Sequence, residues 1–207
     1  MPIENGVCGL LLAGGQSRRM GGGDKCLRDL AGQTLLSRVI SCAKPQVEGL
    51  VLNANGNPAR FEDYQLPVVA DVFEGFAGPL AGILTGLEWT LANRPDCKWI
   101  ASFACDAPFA PSDLVSRLLE AVKEEKGDLG VAVSGQRDQP VFGLWPVSLA
   151  ADLRKALADE EVRKVDVWTA RYKLVRVEWS TEPVDPFFNV NRSEDLDAAE
   201  ANLSRLS

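Results

Sequence analysis

The sequence predicts an α/β fold built on a mainly parallel β-sheet. Val7–Leu12 is a short, continuous apolar run that ends at Gly14-Gly15, a pattern typical of a buried strand followed by a loop. Runs of this kind alternate along the chain with stretches of helical periodicity. Polar residues, namely Asn53, Asp71 and Asp106, directly follow three other predicted strands. Because parallel sheets bind ligands beyond the carboxyl ends of their strands, we expect the functional site at that edge.

The first half of the chain alternates regularly between the two kinds of pattern. Thr34–Ala43 is predicted to be a helix because its apolar residues fall on one face. Short apolar runs then predict two strands, and a third strand follows a second helix. In order, these elements are the strands Leu50–Asn53 and Pro67–Ala70, the helix Gly82–Arg94 and the strand Trp99–Cys105.

The second half continues the alternation and ends in a helix. Apolar residues spaced three or four apart predict the helices, and apolar or alternating runs predict the strands. The elements are the helix Ser112–Glu125, the strands Leu129–Val133 and Val141–Trp145, the helix Leu149–Leu157, the strand Lys173–Glu178 and the helix Ser193–Leu206. Since no Pro-, Gly- or Ser-rich linker interrupts this series, we expect one domain over residues 1–207.

Composition excludes several classes of catalyst. The 207 residues include 22 Lys and Arg, 29 Asp and Glu, and no His. Without histidine, the chain has no Ser-His-Asp or Cys-His catalytic pair, no HExxH zinc site and no imidazole base. The acidic net charge of −7 also argues against a general nucleic-acid-binding protein.

The cysteines and the apolar segments predict a cytoplasmic protein with no membrane span. The five cysteines include no CxxC pair, so neither a disulfide framework nor a zinc ribbon is expected. Free thiols are typical of a reducing compartment. The N-terminus lacks the basic-then-apolar order of a signal peptide. Long uncharged apolar stretches such as Gly75–Leu87 have 13 residues, fewer than the ~18 that a membrane span requires.

A glycine-rich basic loop follows the first strand and is the strongest functional signal. Residues 13–25 contain five glycines together with Arg18, Arg19 and Lys25. Glycine allows close backbone approach to a ligand, successive N–H groups cradle phosphate oxygens, and basic side chains supply opposing charge. Residues 16–28 carry a local net charge of +3, whereas residues 178–207 carry −5. The loop therefore predicts a phosphate-binding site within an acidic protein.

The two commonest phosphate-loop motifs do not fit this loop. A Walker A motif requires GxxxxGK[ST], and the chain has no Gly-Lys dipeptide. The dinucleotide-binding fingerprint GxGxxG is also absent. A P-loop NTPase and a dinucleotide-dependent dehydrogenase are therefore disfavoured.

A series of motifs gives the sequence a specific resemblance. Leu11 to Gly15, Arg18 to Gly21 and Asp24-Lys25 together resemble the LAGGxxxRMGxxK signature of nucleotidyltransferases. Within that superfamily the chain most resembles the molybdenum cofactor guanylyltransferases. Further segments match in the family's order: residues 51–55 (VLNAN), Asp71, residues 78–82 (GPLAG), residues 105–108 (CDAP), residues 139–145 (QPVFGLW) and residues 188–191 (FNVN).

The resemblance implies a fold, a reaction and its participants. It implies a single Rossmann-like three-layer domain with a mainly parallel, mixed sheet, whose N-terminal part binds nucleotide and whose C-terminal part binds the acceptor. The reaction implied is attack of the terminal phosphate of molybdenum-loaded molybdopterin on the α-phosphate of GTP, with Mg²⁺ as cofactor. The implied protein partners are molybdenum-insertion and molybdoenzyme-maturation proteins. The LAGG wording, where related cytidylyl enzymes read LAAG, favours GTP over CTP by resemblance alone.

The resemblance also assigns roles around the nucleotide. It places the backbone of Leu12, Ala13, Gly14 and Gly15 against the nucleotide. Asn53 and Asp71 are assigned to the nucleoside, since such side chains bond base edges or ribose hydroxyls; turn formation is the alternative role.

Basic and acidic side chains are assigned to the reacting phosphates. Lys25 and Arg19 would contact phosphate groups, and solvated surface charge is the alternative. Asp106 is a candidate Mg²⁺ ligand because Mg²⁺ prefers one or two carboxylates plus substrate phosphates; the alternative is an N-terminal cap for the next helix. Asn189 and Asn191 line the acceptor side or assist the metal, unless they cap the last helix.

Two other functions stay open at the level of sequence. One is a different nucleotidyltransferase of the superfamily, using CTP or a sugar phosphate. The other is a nucleotide-binding adaptor that retains the loop without catalysis.

Overall fold

The computed structural model describes residue 4 and residues 6–13, 24–73 and 78–206. Its strands are β1 (Val7–Leu12), β2 (Asp29–Leu30), β3 (Gln33–Thr34), β4 (Leu50–Asn53), β5 (Val68–Val69), β6 (Trp99–Ala104), β7 (Leu129–Ser134), β8 (Arg137–Pro146) and β9 (Leu174–Trp179). Its α-helices are α1 (Leu35–Ala43), α2 (Pro79–Asn93), α3 (Leu114–Glu125), α4 (Ala150–Ala158), α5 (Val165–Thr169) and α6 (Ser193–Leu206).

A seven-stranded sheet in the order β5-β4-β1-β6-β8-β7-β9 forms the middle of the fold. Neighbouring strands are parallel except at β8, which pairs antiparallel with both β6 and β7. The prediction of a mainly parallel, mixed sheet is confirmed. β2 and β3 form a separate two-stranded ribbon.

Helices cover both faces of the sheet and give three layers. On one face, α1 and α3 bury Leu36, Val39 and Leu118 against the sheet. On the other face, α2, α4 and α5 form a second core that includes Leu84 and Trp168. Because both faces are covered, the central strand β1 is apolar throughout and is buried along nearly its whole length.

The central strands end at one level, and this alignment creates the site. Leu12 at the end of β1 lies opposite Asn53 of β4 and Ala104 of β6. Asn53 in turn lies opposite Val69 of β5. The polar residues that follow these strands, Asp71 and Asp106, are therefore delivered to a single edge of the sheet.

The structure departs from the predicted element bounds where local chemistry overrides periodicity. α2 begins at Pro79, three residues before the predicted start, because proline is favourable in the first turn of a helix. β8 begins at Arg137 and not at Val141, since Gly135 and Gln136 both adopt positive φ and form a two-residue hairpin loop from β7. The ribbon β2–β3 and the short helix α5 were not predicted, because such short segments show no measurable period.

The last helix packs beside the β2–β3 ribbon and is capped from within. A small apolar cluster of Leu30, Leu35, Val190 and Ala199 joins α6 to the ribbon and to α1. The Asp195 carboxylate accepts hydrogen bonds from the backbone N–H groups of Asn191 (2.6 Å) and Arg192 (2.8 Å). The Asp195 side chain thus caps the start of α6, because it accepts backbone N–H groups that have no partner within the helix.

Within the described ranges, no helix has the combined length and apolar character that crossing a membrane requires.

A partly buried cluster of hydrogen bonds joins α4 to the segment that contains α5. The Asp152 carboxylate accepts hydrogen bonds from Trp168 Nε1 at 3.0 Å and from the Tyr172 hydroxyl. These bonds, that from Tyr172 first, lower the pKa of Asp152 below the 3.8 of an unperturbed aspartate. Burial and the same carboxylate raise the pKa of Tyr172, so its hydroxyl remains a donor at neutral pH.

We expect Asp152→Asn to lower the free energy of unfolding by about 1 kcal/mol at pH 7, since the charge-assisted part of two hydrogen bonds is lost. Because the pKa of Asp152 is depressed in the folded state, its stabilisation is present above the unfolded pKa and disappears as pH falls through the folded pKa. Urea unfolding of both proteins from pH 7 down to pH ~3 checks this by the pH at which the two stabilities converge. A difference that stays constant over this range would contradict it.

Candidate active site

Three polar side chains from distant parts of the chain converge at the carboxyl edge of the sheet; we call them the Lys25 cluster. Lys25 Nζ forms an ion pair with Asp106 Oδ2 and donates a hydrogen bond to Asn191 Oδ1 at 2.6 Å. The Lys25 side chain is 12% exposed, whereas that of Asp106 is 28% exposed. A largely buried ammonium is thus held beside a carboxylate that solvent and ligand can reach.

Backbone contacts fix the members of the Lys25 cluster. Lys25 begins a short 3₁₀ helix, Lys25–Leu27, in which the Leu27 N–H donates to the Asp24 carbonyl at 3.0 Å. Asp106 follows the end of β6, and its carbonyl accepts the Val190 N–H at 2.9 Å. That bond places the next residue, Asn191, beside Lys25. The cluster therefore depends on the sheet, on the turn after the glycine-rich loop and on the C-terminal segment.

The oxygen atoms of the Lys25 cluster suit a hard cation. The Lys25 ammonium lies between a carboxylate oxygen and an amide oxygen, the two ligand types that Mg²⁺ accepts. Across the part of the chain that the structure describes, no three Cys, Asp or Glu residues gather as a metal site. Asp106 thus offers one carboxylate, which matches Mg²⁺ sites that take most of their other ligands from phosphates and water. These residues fit a divalent cation bound together with a nucleotide.

A second group, which we call the Asp71 network, lies at the ends of β4 and β5. Asp71 Oδ1 accepts a hydrogen bond from Asn53 Nδ2 at 2.9 Å, and Asp71 Oδ2 accepts one from Asn55 Nδ2 at 2.7 Å. The Asp71 N–H also donates to Asn55 Oδ1 at 2.8 Å. Both carboxylate oxygens are therefore held in place while Asp71 remains partly exposed. A carboxylate fixed in this way is suited to accept hydrogen bonds from hydroxyl or amino groups of a ligand.

The end of β1 links the two groups. The Ala13 N–H donates to the Asn53 carbonyl at 3.0 Å, and the Leu12 carbonyl accepts the Cys105 N–H at 3.1 Å. α2 packs against the ends of β1 and β4, since a Cβ atom at Gly82 would stand 2.5 Å from both Asn53 Oδ1 and Leu12 Cδ2. Glycine at position 82 is thus required for the helix to approach this part of the site.

A groove of about 740 Å³ extends from the start of α2 along the β7–β8 hairpin. Its lining includes Pro79, Gln136, Arg137, Lys164 and Asp166. Pro79 is one helical turn from Gly82, so the groove begins beside the Asp71 network. Three cations, Arg137, Arg163 and Lys164, line it together with two carboxylates, Asp138 and Asp166, so its net charge is weakly positive.

Two buried thiols next to the Lys25 cluster are unreactive. Cys26 directly follows Lys25, and Cys105 directly precedes Asp106. Burial raises the pKa of Cys26 to about 12 and raises the pKa of Cys105 well above the ordinary thiol value. Both stay protonated near neutral pH, so neither is an activated nucleophile.

The geometry decides some alternatives that the sequence left open. Asp106 does not cap the next helix, because α3 begins only at Leu114, eight residues later. Asn191 does not cap α6 with its side chain, since Asn191 Oδ1 accepts from Lys25 and Asp195 supplies the cap. Asn189 is exposed in the same C-terminal segment. The predicted residues Gly14, Gly15 and Arg19 lie outside the described residues.

Sequence reasoning assigned no role to Asn55. The side chain of Asn55 makes two hydrogen bonds to Asp71, whereas the side chain of Asn53 makes one to Asp71. The signal that points to it is the repetition of asparagine at the end of a strand, Asn53-Ala54-Asn55. An asparagine two residues beyond the strand end is in range to hold a neighbouring strand-end carboxylate.

Comparison with known proteins finds a family that matches most of the chain. The model of the MobA-like NTP transferase domain matches residues 9–173. A Bradyrhizobium protein named molybdenum cofactor guanylyltransferase is 58% identical over 94% of this chain and 92% of its own length. A protein of the same name from Nitrobacter hamburgensis is 56% identical over 93% and 92% of the two chains.

Solved structures show the same fold. The crystal structure of molybdopterin-guanine dinucleotide biosynthesis protein A from Archaeoglobus fulgidus superposes with a TM-score of 0.75 and 22% identity, covering 96% of this chain and 99% of its own. A Mycobacterium tuberculosis protein solved in complex with manganese gives a TM-score of 0.66 at 16% identity, covering 94% of this chain and 98% of its own.

The chain, with its three-layer fold, is a nucleotidyltransferase domain, as the family model over residues 9–173 shows. Within that class, the chain belongs to the MobA-like NTP transferases, in the family of molybdenum cofactor guanylyltransferases.

We expect Gly82→Ala to weaken nucleotide binding through Asn53 and Leu12, raising the Kd for GTP roughly tenfold in titration calorimetry. Gly86→Ala is the matched control, because its Cβ would lie 2.6 Å from Leu10 Cδ2 in the same helix but away from the Asp71 network. Overpacking costs each variant about 1–3 kcal/mol of stability, reduced by the helix preference of alanine. Equal loss of GTP affinity in both variants would contradict a specific role for Gly82.

Proposed function

We propose that the protein transfers GMP from GTP to the terminal phosphate of molybdenum-loaded molybdopterin, forming molybdopterin-guanine dinucleotide and pyrophosphate. The observation that carries this proposal is the Lys25 cluster, a buried cation paired with a reachable carboxylate, in a chain 58% identical to a molybdenum cofactor guanylyltransferase. We extend the proposal to a single nucleotidyltransferase domain over residues 1–207. Its five free cysteines support a cytoplasmic location.

The nucleotide is proposed to lie across the carboxyl edge of the sheet. Its nucleoside faces the Asp71 network, where the fixed carboxylate accepts hydrogen bonds from the base or the ribose. Its triphosphate extends toward Lys25, and the backbone of residues 12–15 and the Arg19 side chain are proposed as further phosphate contacts. In this orientation the hydrogen-bond acceptors of the Asp71 network face the nucleoside, and the Lys25 ammonium faces the triphosphate.

The transfer forms one bond and breaks one. An oxygen of the acceptor phosphate bonds to the α-phosphorus of GTP, the bond from that phosphorus to the β-phosphate bridging oxygen breaks, and pyrophosphate leaves. The acceptor phosphate is already ionised near pH 7, so no general base is required. The absence of histidine from the sequence and the protonated state of Cys26 and Cys105 are compatible with this chemistry.

Lys25 and Asp106 supply positioning and electrostatics. Asp106 neutralises Lys25 and holds the ammonium in place at the proposed position of the phosphates. A preorganised cation of this kind stabilises the charge that accumulates as two phosphates approach each other. Asp106 and Asn191 would hold Mg²⁺, which supplies charge neutralisation on the α-phosphate and the leaving group when bound. The manganese complex of the Mycobacterium tuberculosis structure supports a divalent metal in this fold.

The acceptor is proposed to occupy the groove beside α2 and the β7–β8 hairpin. The groove begins one helical turn from Gly82, and Arg137 and Lys164 give it positive charge suited to a phosphorylated acceptor. Asn189 and Asn191 border the reacting phosphate from the C-terminal segment. Molybdenum-insertion and molybdoenzyme-maturation proteins are the proposed partners for handover of the acceptor and the product.

The function is tested by incubating the protein with molybdenum-loaded molybdopterin, Mg²⁺ and either GTP or CTP, and by measuring pyrophosphate and dinucleotide. We expect the guanine dinucleotide from GTP and little product from CTP. A preference for CTP would replace the guanylyl assignment with a cytidylyl one. GTP binding without any turnover would favour the adaptor.

We expect Asp106→Asn to reduce product formation by about 100-fold or more, because the carboxylate that positions Lys25 and the cation loses its charge. GTP binding, measured by calorimetry, should weaken much less, because the Asp71 network is unchanged. Asp113→Asn is the control, since Asp113 accepts a hydrogen bond from Trp179 Nε1 at 2.9 Å and belongs to neither group of site residues. Turnover near the wild-type rate in Asp106→Asn would contradict the assignment.

Replacing Arg137 and Lys164 together by alanine should raise the KM for molybdopterin roughly tenfold while leaving the KM for GTP unchanged. The control is the double replacement of Lys123 and Arg205, two exposed cations on α3 and α6. Steady-state kinetics with each substrate varied in turn make the measurement. A parallel change in both KM values would place the acceptor elsewhere.

A further inference from the structure

Arg60 lies between the Lys25 cluster and the Asp71 network and contacts a neighbour of each. Arg60 Nε forms an ion pair with Asp24 Oδ2 at 2.7 Å, and Asp24 directly precedes Lys25. The other arm of the guanidinium donates a hydrogen bond to the carbonyl of Asn55, whose side chain holds Asp71. One side chain therefore joins the turn that carries the catalytic lysine to the residue that fixes the nucleoside-side carboxylate.

The Asp24 carboxylate is committed to this contact. Asp24 occupies the N-cap position of the 3₁₀ helix Lys25–Leu27, where an aspartate commonly bonds a free N–H group of the helix. Here the side chain makes no such bond and instead pairs with Arg60. The turn that contains Lys25 is thus held by the ion pair of Asp24 with Arg60, a residue 36 positions further along the chain.

The position of Arg60 is itself constrained. The 3₁₀ helix Pro58–Tyr64 carries it, and Asn57 Oδ1 caps that helix by accepting the Ala59 N–H at 3.0 Å. The guanidinium lies 4.9 Å from the ring centroid of Phe61, which is buried. Gly56, at φ +88°, passes so close that a Cβ there would stand 3.0 Å from the Arg60 guanidinium. These contacts leave the fork pointing at Asp24 and Asn55.

We propose that Arg60 is a positioning residue for nucleotidyl transfer, which sets the distance between the lysine that meets the triphosphate and the carboxylate that meets the nucleoside. The inference rests on the proposed function. The planar fork of arginine is required because it reaches an aspartate and a backbone carbonyl at the same time, whereas lysine supplies a single point charge. The pair is also partly shielded, with side chains 32% and 24% exposed, so it is less screened than a fully exposed ion pair.

Steady-state kinetics of Arg60→Gln, Asp24→Asn and the double variant test the proposal. Arg60→Gln should lower kcat roughly tenfold and raise the KM for GTP, while the KM for molybdopterin stays unchanged. Asp24→Asn should lower kcat alone, since the bond to Asn55 remains. The double variant should equal Arg60→Gln, because the proposal has Asp24 act through its ion pair with Arg60. Arg60→Lys should recover part of kcat but not the KM for GTP.

Arg117→Gln is the matched control. Arg117 also pairs with an aspartate, Asp113 at 3.8 Å, and also stacks on an aromatic ring, Trp179 at 4.2 Å, but it lies on α3 away from both groups of site residues. It should lower the Tm without changing the kinetics. Equal kinetics in Arg60→Gln and Arg117→Gln, or additive effects of Arg60→Gln and Asp24→Asn, would overturn the proposal.

The proposed function and the Arg60 inference fail separately. If the wild-type protein forms no dinucleotide, the proposed function fails. The role of Arg60 is then tested by measuring the Kd for GTP of each variant by calorimetry. Weaker GTP binding by Arg60→Gln than by Arg117→Gln would still support positioning. Equal GTP binding by the two variants would overturn it.

Discussion

The pairing of β1 with both β4 and β6 is the constraint on which the site depends. Leu12 is opposite Asn53 on one side and Ala104 on the other, so the three strands end at the same level. Register in this sheet is specified by packing, because a shift by one residue would move the side chains of β1 from the core on one face to the core on the other and would put a side chain where Gly9 lies against Leu50. The same packing that fixes the core therefore fixes the separation of the Asp71 network from Asp106.

The two groups of site residues solve different electrostatic problems. The Lys25 cluster holds a cation in place by pairing it with Asp106, which neutralises its charge. The Asp71 network keeps a carboxylate ordered by one asparagine amide hydrogen bond to each oxygen, and these amides carry no charge and so leave its negative charge uncompensated. One group is thus an ion pair between a lysine and an aspartate, and the other is a carboxylate held by uncharged amides.

Local sequence patterns predicted what depends on local interactions. The bounds of β1 and β4 matched the structure, because a continuous apolar run between polar residues determines a buried strand. The start of α2 was missed, since Gly78-Pro79 has the composition of a turn although proline also begins helices. Lys25, Asp106 and Asn191 were each singled out by resemblance, but no periodicity reports that Lys25 contacts a residue 166 positions away. The Asn55 contact to Asp71 was missed for the same reason.

The bond between Lys25 and Asn191 has a consequence for how the enzyme is made. A nascent chain that has emerged only through β9 already contains every strand of the sheet, yet it lacks Asn191 and the Val190 N–H that tethers Asp106. Since domains acquire structure as they leave the ribosome, the core can form before the reaction centre is complete. The Lys25 cluster is complete only when the segment that carries Asn191 packs against Lys25, so a product that stops after β9 would contain every strand of the sheet and still lack the cluster.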